Sequence, residues 1–299
     1  MPVGDRKLPV LGPLRRLPSQ SHNGPGEIST GQSLGETPRP TYREIAPPRH
    51  LRKHVVCFWR HGATSIPTTV RVIPDGCIDI VWVNDQAPHV AGPMTKPVLY
   101  SIDSETEIIA VRLRPGVAHR LLGESAKALL NQDVPLRDLW PGHRAAPWEE
   151  VIGKRSEAAK LAMIAEAMSA RLRSNGEGQF DDFVTHAAVW MAGHPCASLQ
   201  GLSCHSGLSE RHIRRYFDEA IGYGPKKLQR ILRLQRLLWL ANQHSAPVPN
   251  LAYLAFAAGY ADQSHMTRDV VTLTGTSPKH LLNGATGSAV SDLFKTAAA

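Results

Sequence analysis

Two short stretches of the chain concentrate side chains able to hydrogen-bond to base edges and phosphates. The first, Ala258–Arg268, reads A-G-Y-A-D-Q-S-H-M-T-R. Asp262 is a residue type that caps a helix, its carboxylate accepting the unpaired amides of the first turn. Helical spacing then groups Gln263, Ser264, Thr267 and Arg268 on one polar face, with Met266 and Val270 turned the other way. A glutamine carries the paired donor and acceptor that match adenine N6 and N7, and an arginine a turn further on suits phosphate. The second stretch, Ser209–Phe217, reads S-E-R-H-I-R-R-Y-F. Ser209 is again a cap. Ile213 and Phe217, four apart, share the buried side, and Arg211, His212, Arg214 and Arg215 fall outside it. A guanidinium fork matches guanine O6 and N7.

Such side chains are useful only on a rigid frame. Leu251, Leu254 and Ala255 have the spacing of a buried helix face, and Gly259 breaks that helix because a residue without Cβ turns at no steric cost. Helix, glycine turn and capped second helix make the helix-turn-helix plan. The ending T-G-T-S-P, Thr274 to Pro278, stops the second helix. Leu199, Leu202, Ser206-Gly207-Leu208 and the Ser209 cap repeat the plan upstream. Between the two, Pro225 opens a long apolar helix through Ala241, with Lys226, Lys227, Arg230 and Arg233 around its early turns, placed equally for phosphate and for solvent.

The run A-G-Y-x-D-Q-S-H-x-x-R followed by T-G-x-S-P resembles the second DNA-binding motif of the AraC/XylS transcription regulators, and S-E-R-H-I-R-R-Y-F resembles the first recognition helix of that family. The resemblance implies two helix-turn-helix motifs joined by one long helix. It also implies DNA contact from Ser209, Arg211, His212, Arg214, Arg215, Lys226, Lys227, Asp262, Gln263, Ser264, Thr267 and Arg268. Val270 departs from the family, which usually has Phe there, and the smaller side chain bears on packing of the recognition helix.

Upstream the texture changes. His54–Arg60, Val70–Ile73, Cys77–Val83 and Glu107–Leu113 are rich in branched and aromatic residues and read as strands, with Pro74-Asp75-Gly76 as a turn. Ile78, Ile80 and Trp82 alternate with Asp79 and Val81, so this strand is expected to bury one face. The segment I-P-D-G-C-I-D-I-V-W, with A-G-P at Ala91–Pro93, resembles the β-rich N-terminal domain of one branch of AraC-like regulators. That leaves two readings open, a structural domain and a sensor of a small-molecule effector.

The expected fold class is therefore α+β: a β-rich N-terminal domain and an all-α C-terminal domain. The divisions are a disordered leader over 1–40, a β-rich sensor or regulatory domain over 41–145, a connector helix and linker over 146–179, the double helix-turn-helix over 180–285 and a flexible tail over 286–299. Short helices are expected over Pro115–Leu122 and Lys127–Leu130. The connector, Ser156–Arg173, repeats Ala159, Met163, Ala167 and Ala170 at helical spacing and serves either as a strut or as a dimer surface. Asp181 or Asp182 is expected to cap the helix that follows the linker.

Composition narrows the class. The net charge of +8 favours a polyanionic partner. The span Ser198–Asn283 holds ten Lys and Arg against five Asp and Glu, an excess of five. The absence of an apolar run of membrane length excludes a spanning helix, and the Arg15-Arg16 interruption excludes a signal peptide. Cys57, Cys77, Cys196 and Cys204 form neither a disulfide framework nor a C-x-x-C metal pair, which fits a reduced, cytoplasmic protein. The expected partners are double-stranded DNA, RNA polymerase if the protein activates, a second copy in a homodimer, and an effector. No metal or organic cofactor is required, and no enzyme activity is expected. The alternative from another class is a DNA-repair alkyl-transfer enzyme, or an enzyme–regulator fusion, with a cysteine acceptor.

Overall fold

A computed structural model describes residues 14–16, 42–140, 144–154, 156–175, 179–243 and 250–284. The architecture is α+β, a β-rich half followed by a helical half. The N-terminal half holds strands β1 (Leu14–Arg16), β2 (Tyr42–Ile45), β3 (Val55–His61), β4 (Thr68–Val72), β5 (Ile78–Val83), β6 (His89–Ala91), β7 (Val98–Ile102), β8 (Ile108–Leu113) and β9 (Asp133–Pro135). They form an antiparallel six-stranded sheet, β2-β3-β8-β5-β6-β9, and a three-stranded sheet, β1-β7-β4. The leader thus contributes one strand, with Leu14 opposite Ile102 and Arg16 opposite Tyr100. The rest of the leader, the linker centre at 176–178 and the tail lie outside the described residues.

β5 differs from expectation. Ile78, Ile80 and Trp82 pack under helices, but Val81 and Val83 are buried too, against Ile102, Ile108 and Ala110 between the sheets. Alternation along a strand cannot reveal a second layer on its other face.

The covered face meets α1 (Ala118–Leu122), α2 (Leu136–Leu139), α3 (Ala146–Glu149) and α4 (Glu157–Ser174). Three tryptophans lock it. Trp82 Nε1 donates to Trp148 O at 2.9 Å, and its ring lies parallel to that of Trp148. Trp140 meets Trp148 edge-on and donates to Leu122 O at 2.7 Å. Residues 126–130 form turns rather than the short helix expected over Lys127–Leu130. In α4, capped by Ser156, the buried stripe is Ile164, Ala167, Met168 and Leu172, and Ala170 is exposed. That stripe packs into the N-terminal core, so it is not available as a surface for a second copy.

The helical half contains α5 (Gln179–Gly193), α6 (Leu199–Ser206), α7 (Glu210–Ala220), α8 (Pro225–Asn242), α9 (Leu251–Ala257), α10 (Gln263–Thr274) and α11 (Pro278–Gly284). α5 begins at Gln179, so Asp181 and Asp182 lie inside its first turns rather than capping it. α8, 18 residues and about 27 Å long, is the axis of this core. Its Leu228, Ile231, Leu234, Leu237 and Leu238 are all essentially solvent-free.

The halves are joined by packing and hydrogen bonds. Ile73 enters the helical core. The buried Gln235 of α8 donates to Pro74 O at 2.9 Å, Ala126 N donates to Glu219 O at 2.9 Å, and Thr185 Oγ1 donates to Pro115 O at 3.1 Å. Gly76 turns at φ +87°, and an added Cβ would stand 3.1 Å from Leu228 Cδ1, so this turn both reverses the chain and admits α8.

Candidate nucleic-acid interface

The first motif is built by caps and a left-handed turn. Ser198 Oγ accepts from Gly201 N at 3.0 Å, Gly207 takes φ +70°, and Ser209 Oγ accepts from His212 N at 3.4 Å. Across the turn Ser203 Oγ donates to Leu208 O at 2.6 Å. Ile213 and Phe217 anchor α7 inward with no exposure, Phe217 meeting Phe183 of α5. Arg211, His212, Arg214 and Arg215 are exposed on its other side. Arg214 pairs with Glu210 at 2.8 Å on the open surface. Such a pair contributes only about 0.3–0.5 kcal/mol and releases its arginine easily. His212 stacks on Tyr216, and the Arg215 guanidinium lies 5.2 Å from the same ring.

The second motif repeats the design. Asn250 caps α9, whose Leu254 and Ala255 are buried. Gly259 then turns at φ +88°, where an added Cβ would approach Pro195 Cβ to 2.5 Å. The turn needs glycine for both its backbone angle and its clearance. Asp262 Oδ1 accepts from His265 N at 2.6 Å. Met266, Val270 and Leu273 are buried, so Val270 fills its place without the larger ring. Gln263, Ser264 and Arg268 are exposed. Thr267 is half-buried and donates its hydroxyl to Gln263 O at 2.8 Å.

The basic residues at the start of α8 divide. Lys226 is exposed. Lys227 is half-buried, and desolvation, then the Arg230 charge, hold its pKa below the usual lysine value. Arg230 and Arg233 serve the fold instead. Arg230 pairs with the buried Asp269, while Arg233 donates to Pro195 O at 2.9 Å and lies over Tyr260. Sequence spacing could not reveal this, because the acceptors come from α10 and from the turn between α5 and α6.

A second feature escaped the sequence. A cavity of about 520 Å³ lies between the two sheets and reaches the helical half, where Gln235, Thr276, His280 and Leu281 complete its wall. Trp59 and Cys77 line it, whereas Trp82 points into the opposite, helix-covered layer. Arg112 runs along it, donating to Asp79 Oδ1 and Oδ2 at 3.0 Å each, with Asp75 at 3.5 Å. No group of three metal-ligating side chains occurs among the described residues. No described helix is long and apolar enough to cross a membrane.

Comparison with known proteins gives a family match in each half of the chain. Residues 43–135 match a family described as a domain of unknown function, DUF6597. No curated protein matches the chain. Among solved structures, ToxT from Vibrio cholerae O395 is 11% identical, with 77% of this chain and 99% of that one covered and a TM-score of 0.45. The same protein bound to (E)-4-(8-methylnaphthalen-1-yl)but-3-enoic acid is 8% identical, with 82% and 99% covered and a TM-score of 0.44. At those scores the likeness carries no weight on fold or ligand. Residues 202–284 match the family described as Helix-turn-helix domain. With the capped, glycine-turned pair of motifs around α8, they form an AraC-type helix-turn-helix domain, the DNA-binding module of the AraC-like transcription regulators.

Proposed function

We propose that the protein is a one-component, cytoplasmic transcription regulator that binds two adjacent major-groove segments of double-stranded DNA, α7 entering one and α10 the next. One observation carries this reading: both helices begin at a side-chain cap, bury an apolar stripe and leave base-reading residue types exposed at their first turns. Arg211, Arg214 and Arg215 supply guanidinium forks for guanine, and Gln263 supplies the amide for adenine. Lys226 and Arg268 face phosphate; Ser264 and Thr267 border the reading face. Ser209 and Asp262 hold the helix starts, and His212 braces the arginine row through Tyr216. Lys227, half-buried, has a weaker claim to phosphate than Lys226.

The test is fluorescence anisotropy of the full chain on genomic fragments selected by binding. Affinity is expected to fall with salt at a log–log slope of about −0.9 per neutralised phosphate. A salt-insensitive complex would contradict this geometry.

The N-terminal domain is the effector domain of this regulator, supported by the cavity between its sheets and the wall that α8 and α11 add to it. An occupant there would bear on Gln235 and His280, and so on the frame of both motifs. Alkyl transfer is the weaker reading. Cys57 and Cys77 are buried, and desolvation, then the Asp75 carboxylate, push the Cys77 thiol well above its ordinary pKa, the opposite of an activated nucleophile.

A further inference from the structure

Both candidate recognition helices have their C-terminal ends held by the N-terminal half. The last carbonyls of an α-helix have no partner within the helix and must be satisfied from outside. In α7, Glu219 O accepts from Ala126 N at 2.9 Å and from Ser125 Oγ at 3.2 Å. In α10, Thr274 O accepts from the Arg71 guanidinium at 2.9 Å. A cation suits that place because the C-terminal end of a helix carries partial negative charge. The donors come from two separate parts of the N-terminal half, the segment after α1 and the edge strand β4.

Both ends are also closely seated. Gly222, just past α7, turns at φ +91°, and an added Cβ there would stand 2.8 Å from Ala126 O and 3.3 Å from Pro93 Cγ. Gly275, just past α10, turns at φ +69°, and its added Cβ would stand 3.3 Å from Arg71 Nη1 and 3.5 Å from Pro97 Cγ. Glycine at each turn lets the helix end lie directly on the N-terminal half. The two helices are 11 and 12 residues long, so each held end lies about 16–18 Å from the base-facing end. A helix that short is stiff, and where its held end sits sets where its reading end stands.

We infer that the N-terminal half is a template that fixes the spacing of the two recognition helices. Arg71 is the positioning residue for α10, and Ser125 with Ala126 is the seat of α7. DNA reading then belongs to both halves of the chain. Arg71 also lines the cavity between the sheets, as does Thr276, so the seat of α10 is part of the cavity wall. The inference rests on the two-groove reading and adds what sets the distance between the grooves read.

The test uses the full chain on a genomic fragment selected by binding, where hydroxyl-radical footprinting locates the two protected segments. A second DNA carries one base pair inserted between them, which moves one segment by about 3.4 Å and turns it by about 35°. The wild-type chain is expected to prefer the uninserted DNA at least about tenfold by anisotropy. Arg71→Met should narrow that ratio about threefold, and Arg71→Lys, which keeps a cationic donor, should restore at least half of it. Ser125→Ala should narrow it in the same direction, and stands in if Arg71→Met fails to fold by circular dichroism. A ratio unchanged in every folded variant would place the control of spacing within the helical half and overturn the inference. Two protected segments with a wild-type ratio near one would overturn the template and leave the two-groove reading standing. A wild-type chain that protects one segment or none would overturn the two-groove reading and this inference with it.

Discussion

Arg230 of α8 grips Asp269 of α10, its Nε and a terminal nitrogen each 2.8 Å from Asp269 Oδ1. The carboxylate is 7% exposed and the guanidinium 30%, so the pair ties the second candidate recognition helix to the central one from the solvent edge. Removing either partner should therefore have unequal effects. Arg230→Met leaves the buried carboxylate with only His265, 3.7 Å from its Oδ2, and should cost about 3 kcal/mol. Asp269→Asn leaves an arginine that can turn to water and should cost about 1 kcal/mol. Urea denaturation of the full chain measures both, and equal losses would disprove the asymmetry.

Base readers and phosphate contacts should separate by substitution. Arg214→Ala and Gln263→Ala should each cost about 1–3 kcal/mol on a selected site and much less on random DNA. Arg268→Ala should weaken both targets alike and reduce the salt slope by about one contact. Anisotropy titrations on the two DNAs decide it, and equal losses from Arg214→Ala on both would reassign that residue to positioning.

The cysteines should react in two classes. Cys196 and Cys204 are exposed, while Cys57, within β3, and Cys77, immediately before β5, are buried. Iodoacetamide at pH 8, read by peptide mass, should label the first pair promptly and the second only after unfolding. Fast labelling of Cys77, or a methyl adduct on it after incubation with methylated DNA, would restore the alkyl-transfer reading.

Acid should loosen the N-terminal half. Burial pushes His89 down to about 4 from its ordinary 6.5, even though Asp133 stands 3.5 Å away. Between those two values the unfolded chain binds the proton and the folded one does not, so stability is full above pH 6.5 and falls as pH drops towards 4. The loss from this group is at most roughly 3 kcal/mol. Thermal melts across that range should show a shallower decline for His89→Gln. A slope unchanged by the substitution would place the acid sensitivity elsewhere.

A fragment beginning at Gln179 should fold and still bind DNA, because α5 to α11 share one core. It should be less stable than the full chain, since Ile73, which enters that core, and the Pro74 acceptor for Gln235 are both lost. Circular dichroism with denaturant tests this, and a fragment without helical signal would refute it.

Much of the helical half was legible without coordinates. Ser209, Gly207, Asp262 and Gly259 act within a few residues of themselves, through caps and turns, so their spacing is enough to read them. Ile213, Phe217, Met266 and Val270 declare the buried side of each helix by periodicity alone. The β-rich texture of Val55–His61 and Ile78–Val83 was legible for the same reason. What the sequence could not decide depends on residues far apart in the chain. Val81 and Val83 are buried because a second sheet, including Leu14–Arg16 from the leader, covers them. Arg230 and Arg233 read equally as phosphate contacts and as a solvated face until Asp269 and Pro195 arrive beside them. The cavity exists only where two sheets, α8 and α11 leave space between them. Local hydrogen bonds and periodicity are written in short spacing; long-range pairing and empty volume are properties of the packed chain.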